Sequence, residues 1–560
     1  MATTRTVVLV LLASSAAAAQ AAAAQQAPTL EEAMARYEQV MERKVFRYHT
    51  DGRDKLAQTR DPAALEILAK DYKRPVDYEQ HARYQIATLI GRHFQGAEFA
   101  PALRALREAH DDPEDTWLWV QLLRREIDAL GDDQALAIAR DAKKPHERAA
   151  AIAALGISDR GDLKSAIVAN CASFPRRDGD RMLVLGAMTG ALWEQRKRVN
   201  TEEYREALRA YIGLLGDDVD LEQTAKVQMA RHLQWILNGP AQFVNPEPWL
   251  ELLERGDVKK PTDVRTSAQP RFFGIETEGE RFCYVVDMSD SMCKEIDPDA
   301  RPRGPITGPK PKRSKRSMVL DESDLPWHAI RTRWDLAREQ LSISLSRLSS
   351  DKHFSIVWFG DEAGTLDATP GLVKATRGNI KRALDELDAI AVGPPTDIAP
   401  DGRLRGKTAL HSGLRLAFGL AGRGFVEEAA YVAKGPLTEG CDTVFLLSDG
   451  APSWDGFPIL DKDYGEDLIV RDTEYAEQVQ RSPQVLYHGP YVDPAWILDD
   501  LRRMNAFRRI RLHCVGLGEA NEDLFVFTVE NVSLKKGERM VLPIETFELD
   551  EGMFQWGLYA

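Results

Sequence analysis

The sequence predicts two structural units, an all-helical N-terminal part and a C-terminal α/β part with a doubly wound parallel sheet. From about residue 28 to residue 255 the chain is rich in Ala, Leu, Arg and Glu, with helical stripes separated by short Asp, Gly and Pro turns. From about residue 265 to residue 560, apolar strand patterns alternate with amphipathic helix patterns. This alternation is typical of a parallel sheet with helices packed on it.

Similar blocks recur within the helical part. They begin at Glu79, Asp115, Glu147 and Asp180. Separations of about 32–36 residues are typical of paired helices that stack into a solenoid. One block, Arg148–Gly156, resembles the second helix of a HEAT repeat, which implies a HEAT-like scaffold over 28–255. An irregular helical domain is the alternative.

The elements of the C-terminal part follow from hydrophobic periodicity and helix-start signals. Runs of apolar residues predict buried strands, and apolar residues at helical spacing predict amphipathic helices. Asp493 and Pro494 provide an N-cap and a first-turn proline. In order, the pattern predicts a strand ending at Asp287, a helix over Trp334–Leu348, a strand over His353–Gly360, a helix over Arg377–Ile390, a helix over Leu410–Phe418, a strand over Cys441–Ser448, a helix from Pro494 to Met504 and a strand over Arg511–Gly518.

Five oxygen-bearing residues occupy the predicted strand ends and one helix start. Asp287, Ser289 and Ser291 alternate in the loop after the first strand. Asp449 follows a later strand, and Thr408 precedes a helix. Loops at the carboxyl ends of parallel strands meet in one crevice, so these residues can converge. Hydroxyls and carboxylates suit Mg²⁺, which prefers oxygen ligands at about 2.0–2.1 Å. The expected metal is Mg²⁺, with Mn²⁺ or Ca²⁺ as alternatives.

This set of residues resembles the metal-ion-dependent adhesion site of the von Willebrand factor A (VWA) domain. The resemblance implies that the hydroxyls of Ser289, Ser291 and Thr408 bind the metal directly. It implies that Asp287 and Asp449 act largely through bound waters. One coordination position is then left for an acidic side chain of a protein partner. The fold that the resemblance implies is the doubly wound, Rossmann-like VWA sheet.

Several features depart from the family pattern. Asp290 stands where the family usually has Gly, which adds a negative charge beside the metal and removes backbone freedom. Thr396 is the weaker alternative to Thr408, because no helix pattern follows it. The tail after Gly518 shows no clear closing helix and strand.

Two long insertions are expected at the rim of the site, over 293–330 and 454–492. The first carries seven basic residues between Arg301 and Arg316, among Pro and Gly. Its composition favours a disordered surface insertion, with a lid or a contact for an acidic partner as the alternative.

The N-terminus predicts export. Residues 1–24 resemble a secretory signal, with an apolar stretch from Val7 to Ala13 followed by small residues. No other stretch approaches 20 apolar residues, so we expect no transmembrane segment and a soluble, periplasmic or extracellular mature chain. A net charge of -14 over 560 residues argues against nucleic-acid binding. The oligomeric state stays open.

The usual catalytic motifs are missing from the sequence. It has no Gly-x-Ser-x-Gly elbow, no His-Glu-x-x-His and no Gly-rich phosphate loop that ends in Lys-Ser/Thr. We therefore expect an exported, non-catalytic interaction protein that binds its partner through the metal. The alternative is a metal-dependent hydrolase in which the Mg²⁺ site activates water.

Overall fold

The computed structural model describes most of the two predicted parts. Apart from short gaps, the described residues are 27–255, 270–296, 319–390, 404–457, 489–517, 542–548 and 553–558; the gaps are 43–45, 74–78, 159–160, 217–218, 220, 238–243, 278, 321, 405 and 427–428. The expected signal segment, the basic stretch 301–316, Thr396 and residues 458–488 of the second insertion lie outside the described residues.

The described residues between 30 and 255 form α-helices and short 3₁₀ turns, as the sequence predicts. The helices are α1 (Leu30–Met41), α2 (Phe46–Thr59), α3 (Pro62–Asp71), α4 (Glu79–His93), α5 (Ala100–Glu108), α6 (Thr116–Leu130), α7 (Asp133–Asp141), α8 (Pro145–Ile157), α9 (Leu163–Ala172), α10 (Asp178–Glu194), α11 (Glu202–Gly213), α12 (Gln223–Ile236) and α13 (Pro246–Arg255). Side-chain N-caps fix several starts: Thr29 and Glu32 form a capping box, and Asp61 precedes Pro62 at the start of α3.

Apart from α5, which packs on α6, the helices from α4 onward are arranged in two layers. In one layer α4, α6, α8, α10 and α12 pack on each other in turn, and in the other α7, α9, α11 and α13 do so. The approach of α8 to α10 depends on Gly156, where a Cβ atom would lie 2.4 Å from the Ala191 Cα. The recurring sequence blocks all fall in the first layer, at or near the starts of its helices. Whether this array is a HEAT-type repeat stays a prediction.

The α/β part is built on an eight-stranded sheet with the order β11-β12-β10-β9-β3-β4-β5, with β6 also paired to β4. The strands of this part are β1 (Arg271–Phe272), β2 (Ile275–Glu276), β3 (Arg281–Asp287), β4 (His353–Phe359), β5 (Ala363–Thr365), β6 (Val373–Lys374), β7 (Leu420–Ala421), β8 (Gly424–Phe425), β9 (Thr443–Ser448), β10 (Arg511–Gly516), β11 (Leu542–Glu548) and β12 (Met553–Leu558). Strands β4, β3, β9, β10 and β12 are mutually parallel, whereas β5, β6 and β11 pair antiparallel at the edges.

Helices cover both faces of this sheet, which explains the continuous apolar runs of its strands. The helices of the α/β part are α14 (Arg333–Ser346), α15 (Arg377–Ala389), α16 (Leu410–Gly419), α17 (Lys434–Glu439) and α18 (Pro494–Asn505), and all of these except α17 contribute residues to the sheet-face clusters. Tyr284 and Val286 of β3 belong to the core cluster that contains residues of α14 and α15. Cys283 and Val285, which point the other way, belong to the cluster that contains residues of α16 and α18. Strands β12 and β11 extend the sheet beyond β10, with β11 at the edge, and the sequence pattern did not indicate either strand.

The helical part and the α/β part share apolar core. Phe46 of α2 and Ala82 of α4 belong to the cluster on one sheet face, and Phe507 belongs to the helical core. Gly186 of α10 permits this contact, since a Cβ there would lie 1.9 Å from the Phe507 carbonyl oxygen. None of the helices in the described ranges is both long enough and apolar enough to span a membrane.

Candidate metal centre

Three loops meet at the carboxyl-terminal edge of the parallel sheet. Strands β3 and β9 are parallel neighbours, so Asp287 at the end of β3 and Asp449 just after β9 lie at the same edge. Strand β4 flanks β3 on its other side. The Ala409 amide donates to the Gly360 carbonyl oxygen at 2.9 Å, which attaches the loop before α16 to the end of β4. The predicted convergence of the three loops is therefore observed.

Four of the five predicted residues form one hydrogen-bonded cluster. The Ser289 amide donates to Asp287 Oδ1 at 2.9 Å. The Ser289 and Ser291 hydroxyl oxygens lie 2.9 Å apart. Ser291 Oγ in turn donates to Asp449 Oδ1 at 2.6 Å. Oxygen atoms from two loops thus lie within hydrogen-bonding distance of one another.

Thr408 lies on the adjacent loop, and its main-chain groups help to hold that loop in place. It is buried, its amide donates to Ser453 Oγ at 3.1 Å, and its carbonyl oxygen accepts from the Ser453 amide at 3.1 Å. Within the described part of the chain, its hydroxyl makes no hydrogen bond to the other four predicted residues. The structure therefore places Thr408 beside the cluster rather than in its hydrogen-bonded chain.

Asp287 is a buried carboxylate held by neutral groups. It is 0% exposed, and Ser448 Oγ donates to its Oδ2 at 2.7 Å. Burial, followed by the neighbouring carboxylate of Asp449, raises the pKa of Asp287 to about 6. Among the described residues no Lys, Arg or His forms an ion pair with Asp287. A buried charge without a counter-charge is unfavourable, so a cation bound here would be stabilised.

Arg333 supplies the one cationic side chain that contacts the cluster among the described residues. Its Nη1 donates to Asp449 Oδ2 at 2.7 Å, and the two side chains are 10% and 0% exposed. Arg333 opens helix α14, whose start is fixed by a capping box between Thr332 and Asp335. Sequence reasoning missed Arg333. The capping box was a signal for its position, since it puts residue 333 in a helix first turn near the sheet edge.

Ser448 is a second contributor that sequence reasoning did not place in the site. Its hydroxyl donates to Asp287, so it orients the carboxylate that closes β3. His411 precedes Ser448 in the chain, but its Nε2 lies 2.8 Å from Asp500 Oδ2, so this ring nitrogen is bonded to another residue. In the residues that the structure describes, Ser448 therefore has no histidine partner.

The donor set fits a hard divalent cation better than a softer metal. It comprises two carboxylates and several hydroxyls, the oxygen donors that Mg²⁺ prefers. Within the described ranges, no group of three or more His, Cys, Asp or Glu side chains could hold a metal ion. A cation at this edge would depend on the serine and threonine hydroxyls and on retained waters. The two buried carboxylates exceed the single guanidinium by one negative charge, which also favours a cation.

No protein-family model matches the chain, and no curated protein matches it. The assignment of the α/β part to the VWA family stays a prediction from its motifs.

Proposed function

We propose that this chain is a non-catalytic interaction protein that binds a protein partner through a divalent metal ion held at the carboxyl-terminal edge of its sheet. The observation that supports this most is the hydrogen-bonded cluster of Asp287, Ser289, Ser291 and Asp449. Its residues come from the two loops in which the VWA resemblance places them.

The ligand roles follow from the resemblance and from the contacts of each side chain. Ser289, Ser291 and Thr408 are proposed to bind Mg²⁺ through their hydroxyls. Asp287 and Asp449 would hold metal-bound waters and balance the charge. Mn²⁺ or Ca²⁺ could replace Mg²⁺, because both accept oxygen ligands. When bound, the cation supplies an electrophilic position that an acidic side chain of the partner fills.

Two contacts favour partner binding over hydrolysis. The Ser448 hydroxyl donates to Asp287, and His411 is bonded to Asp500, so neither forms the nucleophile–base pair of an acyl-transfer site. These features support capture of a carboxylate.

The helical part is proposed to be a HEAT-like scaffold that positions the metal site. Its first layer packs against the α/β part through α4 and α10, so the two parts present their surfaces in a defined arrangement. Residues 1–24 are proposed to direct export, which would place the protein in the periplasm or outside the cell.

The test is partner capture by wild type and by Asp287→Ala, each in Mg²⁺ and in EDTA. The proposal predicts a partner that is lost both in EDTA and in the variant. A matched control is Asp442→Ala, which changes another buried aspartate at the opposite end of β9 and should retain the partner in Mg²⁺. A partner that binds equally well in EDTA would contradict the metal-bridged mode. Turnover of esters, phosphoesters or peptides that is lost in Asp449→Ala would favour the hydrolase.

A further inference from the structure

Arg333 occupies a position that the ligand set alone does not explain. Its guanidinium contacts Asp449 Oδ2, the oxygen that Ser291 leaves free, and it is nearly buried. As the first residue of α14, it is also fixed in place by the Thr332 cap. A permanent positive charge therefore lies against one of the two carboxylates of the proposed metal site.

The buried charges of the site can be counted. Asp287 and Asp449 contribute two negative charges and Arg333 one positive charge. The rim carboxylates Asp290 and Asp361 are exposed, so solvent screens them. Without a metal ion, the buried cluster therefore has one net negative charge. With a divalent cation bound, it has one net positive charge.

We propose that Arg333 is a positioning residue that limits the affinity of the site for divalent cations and couples cation binding to the binding of one carboxylate. This inference rests on the proposed function. Arg333 holds Asp449 and repels an incoming dication, so the dication binds more weakly. The single excess positive charge then attracts one monoanionic ligand. By thermodynamic reciprocity, a carboxylate that binds the loaded site must strengthen cation binding by the same factor.

A purely structural role for Arg333 makes a different prediction. If its only task were to anchor the start of α14 to the sheet edge, its removal would lower stability. It would leave the cation affinity of the folded protein and the effect of a carboxylate unchanged. The carboxylate dependence of cation binding therefore separates the two roles.

The experiment is calorimetric titration of the full chain with Mg²⁺, in sodium acetate and in sodium chloride of equal ionic strength. Acetate is the carboxylate probe. In wild type, acetate should strengthen Mg²⁺ binding at least about fivefold, which is the lower end of the effects expected for coupled sites. In chloride, Arg333→Gln should bind Mg²⁺ about tenfold more tightly than wild type does. Acetate should no longer strengthen Mg²⁺ binding by this variant. Arg333→Lys, which keeps the charge, should retain the acetate effect.

A matched control is Arg338→Gln, on the same helix. Arg338 pairs with Glu339 and with the exposed Asp388 instead of the cluster, so this variant should titrate like wild type. Circular dichroism checks the folding of each variant. If Arg333→Gln does not fold, the acetate effect in wild type and in Arg333→Lys still tests the inference, because its absence from wild type overturns it.

The outcomes also separate this inference from the proposed function. Equal Mg²⁺ affinity and equal acetate effects in wild type and Arg333→Gln would overturn the role of Arg333 and leave the metal site intact. Binding of Mg²⁺ by Arg333→Gln alone would support the role of the guanidinium and overturn metal binding by the unmodified chain. Absence of Mg²⁺ binding by every folded variant would overturn both.

Discussion

Asp290 and Gly406 are joined by two hydrogen bonds across the rim of the candidate metal centre. The Gly406 amide donates to Asp290 Oδ1 at 2.7 Å, and the Asp290 amide donates to the Gly406 carbonyl oxygen at 3.2 Å. Gly406 has a φ of +76°, and a Cβ there would collide with Asp361, so no other residue fits this turn easily. The side chain of Asp290 therefore ties the loop after β3 to the Thr408 loop.

This tie predicts that Asp290→Gly weakens Mg²⁺ binding several-fold. The variant loses both the side-chain link to the Thr408 loop and a negative charge near the metal, and both losses act in the same direction. Asp290→Asn keeps a carbonyl acceptor for the Gly406 amide and should lose only the charge effect, which high salt suppresses. Calorimetric titration at low and high salt measures both. Tighter binding by Asp290→Gly would contradict this role.

The sequence alone was sufficient to predict the strands whose ends form the candidate site. Strands β3 and β9 are buried on both faces, so they appear as continuous apolar runs that end in Asp287 and Asp449. The parallel arrangement of such strands then requires their ends to converge. These inferences needed only local patterns and one topological rule.

Contacts between distant segments could not be predicted in the same way. Arg333 reaches Asp449 from a helix that follows an insertion, and an arginine in a helix first turn has no local signal for burial. His411 stacks on Tyr491 with ring centroids 3.9 Å apart and bonds Asp500, 89 residues away in the chain. The helical period around His411 indicates which positions are apolar, but it does not indicate which polar residue finds a buried partner.

Removal of the Thr408 hydroxyl should weaken metal binding. Thr408→Val preserves the shape of the side chain and removes the proposed ligand atom, so Mg²⁺ affinity should fall by about tenfold or more, at least the loss seen for outer-shell partners of metal ligands. Thr408→Ser keeps the hydroxyl and should bind within a few-fold of wild type. Calorimetry is the measurement. Equal affinities for Thr408→Val and wild type would remove Thr408 from the ligand set.

The buried carboxyl group of Asp455 should make the stability of the protein depend on pH. Its Oδ1 accepts from the Phe457 amide at 3.1 Å and its Oδ2 from the Tyr491 amide at 3.2 Å. Burial raises its pKa to about 7 from the ordinary aspartate value of 3.8. The native state therefore binds more protons than the unfolded state between about pH 4 and pH 7. The stability from this group is present below about pH 4 and is lost as the pH rises through about 7.

The measurement is the melting temperature of wild type and Asp455→Asn from pH 5 to pH 8. Wild type should lose stability over this interval more steeply than the variant, whatever their difference at a single pH. Asp388→Asn, which changes a largely exposed carboxylate, should keep the wild-type slope. Parallel pH profiles for wild type and Asp455→Asn would show that Asp455 does not titrate in this range.

The hydrogen bonds of Tyr431 should make the stability of the start of α6, in the helical part, depend on the α/β part. Its hydroxyl accepts from the Trp117 amide at 3.1 Å and donates to the Glu114 carbonyl oxygen at 2.7 Å. Tyr431→Phe leaves the buried Trp117 amide at the start of α6 without this partner, which should cost about 1–3 kcal/mol. Hydrogen exchange of the peptide that contains Trp117 should accelerate. Tyr204→Phe, which removes a bond within the helical part, should not accelerate it.

The central claim, a divalent cation site at Asp287, is tested most directly by thermal unfolding with and without Mg²⁺ or Mn²⁺. A cation that binds only the folded state raises the melting temperature by mass action. The account predicts a metal-dependent rise in wild type that persists in Asp442→Ala and is mostly abolished in Asp287→Ala. Equal rises in wild type and Asp287→Ala, or no rise in wild type at saturating Mg²⁺ and Mn²⁺, would contradict it.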